Sequence, residues 1–195
     1  LRTVHKIGST TTTTNYCGNV IYENGTQKLL LTEEGYINLA GTQQYHYYLK
    51  DHQGNNRVVI NQSGTVEETN HYYPFGGVFG TTGNTQPYKY NGKEFDNKKG
   101  LNWYDYGARH YDTALGRFTT NDRFAEKYYS MSPYQYGANS PVVNIDVNGD
   151  SIRICTETQS FGHTWISVGE GSNMTVYSYG RYNGTNKGPV SYTHL

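Results

Sequence analysis

The side chains able to do thiol or metal chemistry are few and widely spaced. Cys17 and Cys155 stand far apart and match no zinc or redox spacing, so they read as isolated thiols in separate segments. His46, His52, His71 and His110 follow no ligand spacing, so neither a metal nor any other cofactor is expected. His52 follows Asp51 inside a turn, where a hydrogen-bonding role is the better reading. Thiol–imidazole chemistry between Cys155 and His163 would need the pair within hydrogen-bond reach. The plainer reading is a structural His163 beside Trp165. Tyr128, Tyr129, Tyr134 and Tyr136 offer ring faces that could stack on sugars or bases. Their alternative use is to fill the layers between sheets.

The elements that must position such residues are short strands. Among 195 residues, 23 are Gly and 21 are Tyr, while only 5 are Pro. Mean hydropathy is −0.80, but basic and acidic residues balance at 16 each and aromatics reach 15%, which is not the composition of a disordered chain. Tyr and Thr suit a half-buried pleated surface, and Gly supplies tight turns. No apolar run approaches the roughly 18 residues of a membrane span. Zero formal net charge argues against a nucleic-acid binder. Runs such as Asn19-Val20-Ile21-Tyr22-Glu23, Tyr45-His46-Tyr47-Tyr48-Leu49 and Arg57-Val58-Val59-Ile60, separated by Gly/Asn turns, predict antiparallel hairpins. Their alternation is too imperfect to assign faces. Helix is expected only as short turns, as around residues 123–129.

Gly18-Asn19, an apolar run and Asn24-Gly25 resemble Gly54-Asn55, an apolar run and Ser63-Gly64. This self-similarity points to repeated hairpins that bury their faces by stacking on neighbours. Tyr48-Leu49-Lys50-Asp51-His52-Gln53-Gly54-Asn55 resembles a tyrosine–aspartate (YD) repeat of the Rhs family. Tyr72-Tyr73-Pro74-Phe75-Gly76, Tyr90-Asn91-Gly92-Lys93-Glu94 and Gly107-Ala108-Arg109-His110-Tyr111-Asp112 continue the match. Leu115-Gly116-Arg117-Phe118, Asp122, Tyr134-Gln135-Tyr136-Gly137-Ala138-Asn139-Ser140-Pro141 and Ile145-Asp146-Val147-Asn148-Gly149 complete a resemblance to the Rhs repeat-associated core domain over about residues 16–150.

That resemblance implies an all-β shell fragment of stacked YD-repeat hairpins with a short β-rich C-terminal segment. In function it implies encapsulation and delivery of a C-terminal toxin effector in competition between bacteria, by a secreted or cell-surface-delivered protein. Its implied partners are the enclosed effector, an immunity protein and secretion machinery. It also implies self-cleavage by an aspartyl-type pair, mapped here onto Asp122 and Asp146, with Arg109 stabilising charge and Gly149 and Asp150 as the cleavage region. Paired carboxyls cannot both ionise, so one serves as acid while the other activates water. The alternative for both aspartates is turn anchoring through Asx-type hydrogen bonds. Thr113, Arg123 and Val147 replace prolines of the family pattern, and Asp150 stands where the family has Leu. A surface carbohydrate-binding repeat protein, resting on exposed tyrosines, is a further alternative.

After Gly149 the repeat pattern stops, and strands are expected at residues 151–155, 162–169 and 176–182. Gly162-His163-Thr164 faintly resembles the histidine strand of permuted papain-like hydrolases, although Cys155 precedes rather than follows it. The expected organisation is a poorly paired start (1–15), YD hairpins (16–75), the core domain (76–150) and a truncated effector segment (151–189). Val190-Ser191-Tyr192-Thr193-His194-Leu195 resembles one reading frame of a transposon-end sequencing adaptor and is set aside. Starting at Leu1, the sequence is expected to lack its natural N-terminus.

Overall fold

The computed structural model describes residues 1–127 and 129–150, and beyond them the backbone of four strands. The fold is all-β, in two compact units: Leu1–His71 with Val78–Gly92, and Tyr72–Gly77 with Lys93–Leu195.

The first unit carries a nine-stranded meander in which each strand lies beside its sequence neighbours. Its strands are β1 (Arg2–Ile7), β2 (Thr10–Cys17), β3 (Val20–Glu23), β4 (Thr26–Leu31), β5 (Gly35–Asn38), β6 (Gln44–Lys50), β7 (Asn56–Asn61), β8 (Val66–Tyr72) and β9 (Val78–Thr82). Turn chemistry sets the strand breaks. Asn24 (φ 50°) and Gly25 (φ 84°) are both left-handed, the type I′ geometry that joins twisted strands with two residues. The β6–β7 and β7–β8 hairpins use the same kind of five-residue turn. Asp51 Oδ1 accepts from the Gln53 and Asn55 N–H groups, as Asn61 Oδ1 does from Ser63 and Thr65.

Ile21, Leu29, Tyr36 and Val59 form this unit's core, with Tyr16, Leu31, Tyr48 and Tyr88 packed against it. Val59 lies opposite Glu68, which brings that carboxylate onto the buried face. Glu68 accepts from Asn70 Nδ2 (2.7 Å), the Thr85 N–H (2.8 Å), Gln86 Nε2 (3.1 Å) and Lys89 Nζ (2.6 Å). Burial raises its pKa, but these donors outweigh burial and hold it below the ordinary carboxylate value. The same bonds tie residues 85–89 to β8, so the segment up to Gly92 groups with the hairpins. The expected poor pairing of residues 1–15 is corrected: β1 and β2 pair without a break from Arg2↔Asn15 to Ile7↔Thr10. The Thr run suits a strand, and β2 pairs with β3 on its other side. This hairpin nonetheless stays largely exposed, apart from Thr14.

In the second unit, β10 (Glu94–Asp96), β11 (Trp103–Asp105), β12 (His110–Asp112) and β13 (Arg117–Phe118) form a small sheet. Its register aligns Phe95, Tyr104, Tyr111 and Phe118 as successive cross-strand neighbours, a column of rings. Tyr106 and Tyr136 complete the cluster, with Tyr106 edge-on to Tyr111, Phe118 and Tyr136. The buried hydroxyls find partners: Tyr106 donates to the Tyr136 oxygen and Tyr111 to the Phe75 carbonyl. A short 3₁₀ turn spans Ala125–Lys127. The third sheet consists of β14 (Asn144–Asp146), β15 (Arg153–Thr156), β16 (Thr164–Val168), β17 (Thr175–Tyr179) and β18 (Val190–Thr193). Residues set aside in the sequence reading thus supply β18, paired with β17. His163 and Tyr128 lie outside the described residues, and Cys155 falls within β15.

Candidate functional site

Three turns of the second unit converge on one guanidinium. Between β11 and β12, Asp105 Oδ1 accepts from the Gly107 N–H and Gly107 takes φ 92°, which sets Arg109 just before β12. The Arg109 guanidinium lies 3.8 Å from the centroid of the Phe118 ring. Past β13, the Asp122 N–H donates to the Pro133 carbonyl and Asp122 Oδ1 accepts from the Phe124 N–H. At the end of β14, Asp146 Oδ1 accepts from the Gly149 N–H (2.7 Å) and the Asn148 N–H (3.2 Å).

Each aspartate therefore spends Oδ1 on its own turn and turns Oδ2 toward Arg109. Arg109 Nη2 is 2.9 Å from Asp122 Oδ2 and 3.7 Å from Asp146 Oδ2. Arg109 Nη1 donates to the Pro133 carbonyl (3.1 Å), and its Nε donates to the Gly149 carbonyl (2.5 Å). Turn anchoring and a shared cation are thus divided between two oxygens of the same carboxylate. Arg109, Asp122 and Asp146 are all buried.

Burial pushes the Asp146 pKa above the ordinary carboxylate range. The Gly149 and Asn148 N–H groups and Arg109 oppose that rise, and Asp122 adds to it. Lys93 also reaches this turn, donating from Nζ to the Val147 carbonyl, with Nζ 5.2 Å from the Tyr106 ring centroid. Burial lowers its pKa while Asp146 and Asp105 act to raise it.

A side chain at Gly149 would be crowded and strained. The residue's φ is +78°, and a Cβ would meet the Arg109 backbone nitrogen at 2.9 Å and Tyr106 Cβ at 3.2 Å. The peptide joining Gly149 to Asp150 is bonded on both sides: Arg109 takes the carbonyl and Asn148 Oδ1 accepts the Asp150 N–H (3.0 Å). Asp150 is buried and pairs with Arg123, whose Nη2 is 2.5 Å from Asp150 Oδ2.

The structure thus brings Arg109, Asp122, Asp146 and Gly149 together, with Asp150 next in the chain. It does not gather the other candidates. Tyr136 is fully buried in the ring cluster while Tyr129 is 90% exposed, so these two share no stacking platform. His46 stacks on Tyr36 and faces Glu67, His71 lies against Phe79, and His110 against Trp103. Cys17 is a free, exposed thiol. Lys93 and Arg123 were missed as parts of the site. Lys93 had a signal in Gly92-Lys93-Glu94, a motif whose lysine reads as a surface charge until its burial is known.

No family model matches the chain. A stretch of 119 residues is 39% identical to salivary gland surface protein 1 of Aedes aegypti, covering 59% of this chain and 3% of that protein. The fold is similar to that of TcdB2-TccC3 without its hypervariable C-terminal region, with a TM-score of 0.63 and 18% identity over 76% of this chain and 8% of that one. It is also similar to a chain of the Tc holotoxin pore of Photorhabdus luminescens, with a TM-score of 0.59 and 20% identity over 71% of this chain and 8% of that one. The chain therefore spans a small fraction of the proteins it resembles, and at these identities the structural likeness speaks for the fold. No helix among the described residues is long and apolar enough to cross a membrane.

Proposed function

We propose that the chain is the closing portion of an Rhs-type β-shell, and that its carboxylate pair cuts the chain between Gly149 and Asp150. The shell would enclose and deliver a C-terminal effector outside the producing cell. Its support is the nine-stranded meander and the likeness to TcdB2-TccC3. The observation that carries the cleavage reading is that one buried guanidinium contacts both carboxylates and the Gly149 carbonyl oxygen.

The chemistry follows from the placement. A water molecule attacks the Gly149 carbonyl carbon, and Asp122, the carboxylate in closer contact with Arg109, takes one of its protons. Protonated Asp146 gives its proton to the carbonyl oxygen, whose developing charge Arg109 Nε already faces. The tetrahedral adduct then collapses. Asp122 passes its proton to the Asp150 nitrogen, the C–N bond breaks, and one hydroxyl of the adduct returns a proton to Asp146. The products are a carboxyl group at Gly149 and a free amine at Asp150. Burial suits Asp146 to the acid's role because it favours the protonated carboxyl.

Gel mobility of the purified full chain tests this reading. Beside Asp122→Asn and Asp146→Asn variants that stay whole, the unaltered chain should run as two pieces after incubation at mildly acidic pH. A chain that remains intact there contradicts the cleavage reading.

A further inference from the structure

We infer that Arg123 positions the leaving side of the Gly149–Asp150 bond by gripping the Asp150 carboxylate, an inference that rests on the cleavage reading above. The bond's other handles come from within the site: Asp146 takes the Gly149 N–H, Arg109 the Gly149 carbonyl, and Asn148 the Asp150 N–H. The last two fix the plane of this peptide, and the first fixes the peptide before it. The Asp150 side chain is held by a residue from another turn. Arg123 Nη2 donates to Asp150 Oδ2, and its guanidinium lies over the Phe124 ring at 4.9 Å.

The exposures of the pair are unequal in an informative way. The Asp150 side chain is 9% exposed and that of Arg123 is 67% exposed. A buried carboxylate without a cation would be expelled toward water, and Asp150 moving outward would draw the bond away from Arg109. Arg123 reaches in from the surface and removes the reason to move. It also directly follows Asp122, so one backbone segment carries both the base and the clamp. Two of the four positions at which this chain departs from the resembled pattern, Arg123 and Asp150, are therefore partners. The site accepts an acidic residue after the cut because it brings its own cation for it, and Arg123 is a positioning residue for that side chain.

The test is the rate of cutting in full-length chains made by cell-free translation with a pulse of labelled methionine. Met131 and Met174 lie on opposite sides of the bond, so both products are seen. Arg123→Gln and Asp150→Asn should each cut about fivefold more slowly, a modest factor because Arg123 is largely exposed. The double variant should be no slower than either single one, since both remove the same contact. Arg123→Lys should recover most of the rate, and added guanidinium ion, but not sodium at equal concentration, should speed the Arg123→Gln chain. Cutting of Arg123→Gln at the unaltered rate overturns the clamp and leaves the cleavage reading intact. Slowed cutting that neither Lys nor guanidinium restores overturns it as well. An unaltered chain that never cuts removes the cleavage reading, and the clamp with it.

Discussion

Replacing the two aspartates one at a time by asparagine separates chemistry from stability, because they sit differently against Arg109. Asp122 Oδ2 is in hydrogen-bond contact with Nη2 at 2.9 Å, a buried ion pair, while Asp146 Oδ2 stands back at 3.7 Å. Asparagine at either position keeps the Oδ1 acceptor, so the turn bonds to Phe124, or to Asn148 and Gly149, survive. Asp122→Asn leaves the buried guanidinium without its nearest anion, a loss of about 3–5 kcal/mol by analogy with other buried pairs. Asp146→Asn imitates the protonated carboxyl that burial already favours, so its cost should be within about 1 kcal/mol. Both variants should stay uncut, which allows direct comparison of two whole chains. Urea unfolding followed by tryptophan fluorescence near neutral pH should then place the Asp122→Asn midpoint about 1 M or more below that of Asp146→Asn. Equal midpoints, or a lower one for Asp146→Asn, would refute the assignment of Asp122 as the carboxylate partner of Arg109 and Asp146 as the acid.

Gly149→Ala should slow cutting at least tenfold and destabilise the chain by about 1 kcal/mol or more, because its Cβ meets the Arg109 nitrogen at a left-handed φ; cutting at the unaltered rate would count against the close approach. Glu68→Gln should destabilise the first unit by about 3–5 kcal/mol, since Lys89 is left buried without its anion, and unfolding of the variant checks it. Glu68 is held below its ordinary pKa, so its stabilisation is present above its unfolded value and lost as pH falls through the folded one; acid titration of Glu68→Gln should show a shallower loss there. After cutting, the pieces should co-elute in native gel filtration, because β14 on one side pairs with β15 on the other, Ile145 opposite Ile154; separate elution would show that this pairing does not hold them.

Much of this arrangement was legible because turns are written locally. Asp51 and Asn61 begin five-residue turns whose Gly54 and Gly64 take positive φ, and Asn24-Gly25 declares its hairpin outright. Asp122, Asp146 and Arg109 were reached through an ordered series of motifs, since nothing in their spacing alone brings them together. Side-chain destinations set by register were not legible. Glu67 and Glu68 are neighbours in sequence, yet only the pairing of Glu68 with Val59 sends one of them into the core. Arg123 and Asp150 looked like two separate departures from a pattern until their contact made them one. The first hairpin was misjudged because stacking was taken as the source of its order, when ladder pairing with its neighbours provides it.

In the proposed cleavage, Arg109, Asp122 and Asp146 cut the bond after Gly149. Intact-mass spectrometry of the purified full chain, followed through a pH series, tests it most directly. The expected result is one product ending at Gly149 and one beginning at Asp150, formed faster as the pH falls through the raised Asp146 value and protonates that carboxyl. Persistence of the full mass throughout, a cut at another bond, or the same cut in both Asp122→Asn and Asp146→Asn would contradict the claim.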